Sequence, residues 1–314
     1  MQGRGAPGKE VYAMSFFDTL SEMLVLLFAI ACGYAANRLG ILGGETDKKI
    51  SKLLLTVTLP AMILGSVCTG DALPEPSVVL GTLGVALVFY LLEFAFVLAV
   101  PPLLGGSPGQ KGVWRYTLAF PNVAFIGYPV VSALFGREAL FYAAILVLPF
   151  NLMTFTLGPL LLAGAKRFSL RQMLSPCVAA SVLALVLALG RLRPPAMIGE
   201  ALEFVGGVTV PLSLLFVGSL LAGMSRMLPS PRLWILTAVR LLVLPAALCL
   251  LLRRMGTDPL ILGVAVTQMA MPAAVNGSLL CMEYGGDAEC MAQITFVSTL
   301  ASIVTIPILA ALLF

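Results

Sequence analysis

Residues 105–121, GGSPGQKGVWRYTLAFP, and residues 256–272, GTDPLILGVAVTQMAMP, are two versions of one pattern set 151 positions apart. Six of the 17 aligned positions are identical: Gly105/Gly256, Pro108/Pro259, Gly112/Gly263, Val113/Val264, Ala119/Ala270 and Pro121/Pro272. The same offset carries Val57-Thr58-Leu59-Pro60 onto Val208-Thr209-Val210-Pro211. Random placement of the 21 prolines would give about 0.7 coincident pairs at one offset; this offset has three, so the chain reads as an internal repeat.

Each copy opens with a helix-starting signal. Ser107-Pro108 and Asp258-Pro259 pair an N-cap residue with proline at the first helical position. Pro121 and Pro272 follow thirteen residues later, about 20 Å along a helix that rises about 1.5 Å per residue. A proline there removes a backbone hydrogen bond and clashes with the preceding turn.

The solvent around these helices follows from composition. Of 314 residues, 60% are hydrophobic and 11% charged, with a mean hydropathy of +1.03. Soluble domains run near about 45–50% apolar and about 25% charged, so lipid is the medium that fits. Runs of about 17–25 apolar residues predict ten spans, at roughly 17–38, 50–69, 77–103, 108–132, 139–164, 172–190, 199–223, 231–254, 259–282 and 290–314. The first lacks a signal-peptidase site and is read as a retained helix. The expected organisation is a polar tail (1–16), a first five-helix repeat (17–164) and a second (172–314), making an all-α polytopic membrane protein. An odd number of spans per copy makes the second copy enter the membrane from the opposite side. Proline interruptions at matching places in two inverted halves point to a solute site at mid-membrane, because backbone outside a helix survives there only within protein or beside water.

Charge sets orientation. Eleven Lys and Arg fall in one set of alternate connections and seven in the other, with Arg240 inside a helix. The richer side is expected to be cytoplasmic, which puts both termini outside a bacterial inner membrane. The net charge of +4 comes with no basic patch interleaved with aromatics, so nucleic acid is not an expected partner. The expected partners are a small organic anion, the bilayer, protons and a second copy of the chain. No GxxxxGK[ST] phosphate loop is present. With no histidine and six scattered cysteines, no metal or other cofactor is expected; Cys281 and Cys290 are the pair to watch for a bridge or metal. All five aspartates fall at span ends or in loops, which leaves an intramembrane aspartyl enzyme without its second carboxylate. A channel or a signalling membrane protein is the remaining alternative.

The candidate site residues surround the two interruptions. Asn122 follows Pro121 directly: its amide and the freed backbone N–H groups can bind a carboxylate at a half-helix N-terminus, or the amide can satisfy the broken backbone itself. Asn276, four residues past Pro272, is its counterpart in the other half. Gly127 and Gly277 permit close backbone approach or tight helix packing. Glu93, deep in the third span, is a candidate proton carrier or an ion-pair partner for Arg240; Arg240 is also a candidate substrate ligand. Thr295, Ser298, Thr299, Ser302 and Thr305 share one face of the last span, and Asn151 and Thr154 share a face of the fifth; either face lines a cavity or packs closely.

Phe120-Pro121-Asn122-Val123-Ala124-Phe125-Ile126-Gly127-Tyr128-Pro129 resembles the signature of the auxin efflux carrier family, which includes plant auxin exporters and bacterial malate and malonate carriers. Thr58-Leu59-Pro60, Arg240-Leu241-Leu242-Val243-Leu244-Pro245 and Met271-Pro272-Ala273 resemble it too, and the resemblance covers essentially the whole chain. It implies ten helices in two inverted five-helix repeats, with spans four and nine crossing as broken helices at Pro121 and Pro272. It also implies a carboxylate substrate such as malate, malonate or an auxin-like acid, moved by an elevator-like alternation. Spans one, two, six and seven would form the scaffold. The chain lacks the long central loop of plant members, and Ala273 stands where a repeat mate of Asn122 would be.

Overall fold

Helices form where the apolar runs and capping residues place them. The computed structural model describes residues 16–68, 75–154, 157–163, 176–223, 230–275, 277, 280–281 and 286–313. In chain order the helices are α1 (Phe16–Arg38), α2 (Gly44–Cys68), α3 (Pro76–Leu104), α4 (Pro108–Ala119), α5 (Val123–Phe135) and α6 (Ala139–Thr154). They continue with α7 (Leu157–Ala163), α8 (Pro176–Leu189), α9 (Ala196–Gly223), α10 (Pro231–Arg254), α11 (Pro259–Met269) and α12 (Ala288–Leu313). Among the described residues α2, α3, α9, α10 and most of α12 are long and apolar enough to cross a membrane; α1, α5, α6, α8 and α11 contain shorter apolar helices. The outward surface agrees with lipid: Leu80, Leu87, Leu91 and Leu98 of α3 are all exposed.

Both helix-starting signals act as the sequence predicts. Ser107 and Gln110 form a reciprocal capping box at the start of α4, with Pro108 in the first turn. Asp258 caps α11 by accepting from the N–H groups of Leu260 and Ile261. Three other prolines leave a different mark. Segments Leu54–Thr58, Val123–Gly127 and Val239–Val243 wind as π turns, each ending two residues before a proline: Pro60, Pro129 and Pro245. A proline cannot donate to the carbonyl four residues back, and that carbonyl lies at the centre of each wide turn. In α9 the same defect before Pro211 opens the helix at Gly207–Val208.

The helices pack as two groups. In one, α1 runs along the second half of α9, and α2 packs against the first half of α9 and against α8. Gly33 lies on the Leu215 carbonyl and Gly218 on the Ile30 carbonyl, so a side chain at either position would collide with backbone. A buried polar knot ties α1, α2 and α9: the Ser219 hydroxyl donates to Asp47, and Asn37 donates to Ser219. In the other group α3, α4, α6, α10 and α11 share a core that includes Phe89, Trp114, Tyr116 and Leu248. Tyr90 of α3 donates to the Leu146 carbonyl of α6.

Candidate functional site: a crossing of two interrupted helices

The fourth and ninth predicted spans are each interrupted, and the interruptions touch. After α4 ends at Ala119, Phe120 is extended (φ −131, ψ 92), and helix resumes only at Val123. After α11, residues 271–274 leave the helix in the same way. The Asn122 N–H donates to the Pro272 carbonyl at 2.7 Å, and the Ala274 N–H donates to the Phe120 carbonyl at 3.1 Å. Pro121 and Ala273 thus face each other as an isolated antiparallel bridge, in a region where Phe120 and Ala273 are fully buried. Each strand supplies what the other lacks, since buried backbone groups must be paired and no water reaches them.

The remaining orphan groups are met by side chains. The Asn122 amide oxygen accepts from the Phe125 N–H at 3.3 Å, capping α5, while its backbone carbonyl accepts from the Gly127 N–H. On the other strand, the Ala273 N–H donates to the Ser298 hydroxyl of α12 at 3.1 Å. Arg240 serves both halves. Its guanidinium donates to the Leu118 carbonyl (2.9 Å) at the end of α4 and to the Met271 carbonyl (3.2 Å) just past α11. It also donates to Glu93 at 2.8 Å, and both charged side chains are fully buried. A cation is well placed there, because helix C-terminal ends carry partial negative charge and unpaired carbonyls.

Several polar atoms at the crossing have no partner within the described residues. They include the Asn122 amide nitrogen, both amide atoms of Gln268 and the Thr117 hydroxyl. The cap fixes the direction of the Asn122 amide: its oxygen is committed, so its NH2 is the free end. Thr117 and Gln268 are 151 positions apart, on the last turn of α4 and of α11. The Gln268 amide oxygen lies where a side chain at Gly127 would go, which explains the glycine. Gln268 is absent from the sequence-based candidates; its signal was a lone amide inside an apolar helix, matched by a polar repeat mate.

The predicted site residues divide accordingly. Pro121, Asn122, Gly127 and Pro272 come together at the crossing, and Glu93 and Arg240 meet beside it. Thr299 lines a small, largely apolar cavity of about 40 Å³ with Ile126, Val130 and Leu214, while its neighbour Ser298 reaches the crossing. Asn276 lies outside the described residues. Asn151 belongs to α6, but its side chain is likewise outside them. Among the described residues Cys281 and Cys290 are unbridged, and no cluster of three metal-ligating side chains occurs.

Known proteins resemble the chain along nearly its whole length. A family model described as "Membrane transport protein" matches twice, over residues 18–167 and 159–310. An uncharacterized transporter of Methanothermobacter thermautotrophicus is 25% identical over 312 residues, covering 96% of this chain and 100% of the relative. Another, from Methanocaldococcus jannaschii, is 24% identical over 91% of this chain and 96% of its own length. A Rhizobium meliloti protein named "Putative malonate transporter" is 22% identical over 90% of this chain and 92% of its own length.

Proposed function

This chain belongs to the membrane transport protein family, and from that premise we propose that it is a secondary carrier moving a small organic anion across the membrane by alternating access. The observation that carries the reading is the buried crossing of two interrupted helices with unspent amide groups beside it. The family model's two matches support ten spans in two repeats, and five spans per repeat make them inverted. The anion's carboxylate sits at the N-terminus of α5, where the helix dipole favours negative charge and the Asn122 NH2 is free to donate. Gln268 supplies a second amide next to Gly127. Pro121 and Pro272 keep the backbone open, and Asn276, Asn151 and Thr299 are carried as further candidate solute ligands. The name of the Rhizobium meliloti relative favours a dicarboxylate such as malonate; malate and auxin-like acids share its chemistry.

In this reading the Glu93–Arg240 pair holds the crossing together, since Arg240 is already spent on two helix-end carbonyls and a carboxylate. The group of α1, α2, α8 and α9 is the scaffold against which the crossing moves, with both termini outside the plasma membrane. The test is counterflow of labelled malonate, malate and indole-3-acetate in proteoliposomes, comparing wild type with Asn122→Ser. Serine keeps an N-cap acceptor but removes the amide donor. Wild type is expected to exchange at least one of these anions, and the variant to bind it about 10- to 100-fold more weakly, the worth of one hydrogen bond to a charged group. Folded wild-type protein that exchanges none of them overturns the reading.

A further inference from the structure

Away from the crossing, a cavity of about 210 Å³ opens between the two helix groups. One wall is the end of α2 with the first half of α9, packed backbone to backbone through Gly65 and Gly206. The opposite wall is the C-terminal turn of α5 and the start of α6. Two charged side chains line the cavity, one from each wall: Glu203 on α9 and Arg137 in the connection between α5 and α6. The chain turns at Gly136 with φ 80, a left-handed conformation suited to glycine, just before Arg137. Arg137 and Glu203 pair directly. The hydroxyl-bearing Ser66 and Ser132 line the same space. Ser132 lies ten residues past Asn122, so about 15 Å of α5 separates the cavity from the crossing.

Arg137 therefore already holds a carboxylate, supplied by the protein itself. Both partners are partly exposed, at 66% and 40%, and an ion pair open to water holds weakly. A soluble carboxylate can take the place of Glu203 at little net cost, and the cavity has room for several waters or a small dicarboxylate, at about 30 Å³ per water. We propose that this cavity is a second anion site, in which Arg137 takes a carboxylate of the solute in exchange for that of Glu203. The pair keeps Arg137 occupied when no anion is present and yields when one arrives. The proposal rests on the carrier reading above and adds to it an entry site and the residue that competes there.

A purely structural clasp predicts something different, which makes the proposal testable. Arg137→Gln and Glu203→Gln break the same pair, so a clasp shifts transport in the same direction in both. An anion site shifts it in opposite directions. The experiment measures half-saturation of malonate and malate counterflow for wild type, the two single variants and the double variant, with thermal stability in detergent as a folding control. The expected result is that Glu203→Gln lowers the half-saturating concentration about two- to fivefold by removing the competitor. Arg137→Gln is expected to raise it at least about fivefold, and the double variant to follow Arg137→Gln. Shifts in the same direction, or no shift in either, with wild-type exchange intact, overturn the second site and leave the carrier reading standing. Absence of malonate, malate and indole-3-acetate exchange in the wild type overturns the carrier reading, and this site with it.

Discussion

The two interruptions share a backbone shape but not a side-chain solution. At Pro121 the next residue, Asn122, closes its own helix: its amide oxygen takes the Phe125 N–H and its NH2 has no partner among the described residues. At Pro272 the next residue is Ala273, which has nothing to offer, and its N–H goes to Ser298 on α12. The polar amide of that half comes instead from Gln268, on the near side of the break. A repeat therefore preserves the defect in the helix, which the backbone bonds across the crossing hold in place, while the side chains that repair it are free to diverge. Arg240 stands between the halves and treats them alike, donating to one carbonyl of each.

Removing the shared support tests that comparison hardest. Arg240→Leu leaves the buried Glu93 without its cation and both helix ends without a donor, and is expected to cost about 3–5 kcal/mol. Chemical or thermal unfolding in detergent measures the loss, and adding Glu93→Leu is expected to recover part of it by removing the stranded charge. A wild-type stability in Arg240→Leu would show that the clamp is dispensable.

The glycines sharpen the contrast. Gly127→Ala pushes a methyl group into the Gln268 amide, and Gly277→Ala pushes one onto Met291 and Tyr116. Overpacking of this kind costs about 1–3 kcal/mol. Adding Gln268→Ala is expected to restore the stability of Gly127→Ala and to leave Gly277→Ala unimproved. Rescue of both, or of neither, would contradict the placement of Gln268.

The remaining stability effects fall on the two repairs themselves. Ser298→Ala strands the buried Ala273 N–H, at about 1–3 kcal/mol. Asn122→Ala loses a cap, at about 1 kcal/mol. Transport is expected to rank them the other way, with exchange lost in Asn122→Ala and retained in Ser298→Ala at temperatures where both stay folded. Equal exchange in the two would remove the reason for placing the anion at Asn122.

The two interruptions were legible because their causes are local, and their crossing was implied by the family resemblance. Ser107, Asp258 and four prolines act on the backbone within a turn of themselves, so the repeat could be read from spacing alone. The proximity of Glu93 to Arg240 was legible as well, since two charges inside apolar helices need each other. Ser298 was visible only as one hydroxyl on a polar face, and nothing in its spacing distinguished it from Thr299, which faces a different cavity. Gln268 and the Arg137–Glu203 pair were missed for the same reason: their partners lie 65 or more residues away, and the contact is decided by packing between helices. Membership of the family was carried by the motif around Pro121 and holds along both halves.

The account depends on the Pro121 and Ala273 strands meeting inside the protein. Residues facing each other in an antiparallel pair without mutual hydrogen bonds have Cα atoms about 4.5 Å apart, within the range a disulfide spans. Pro121→Cys with Ala273→Cys, in a background whose six native cysteines are replaced by alanine, is therefore expected to cross-link nearly completely under mild oxidation, as read by mass spectrometry of the joined peptides. Folded, membrane-inserted protein in which those two cysteines stay reduced would contradict it.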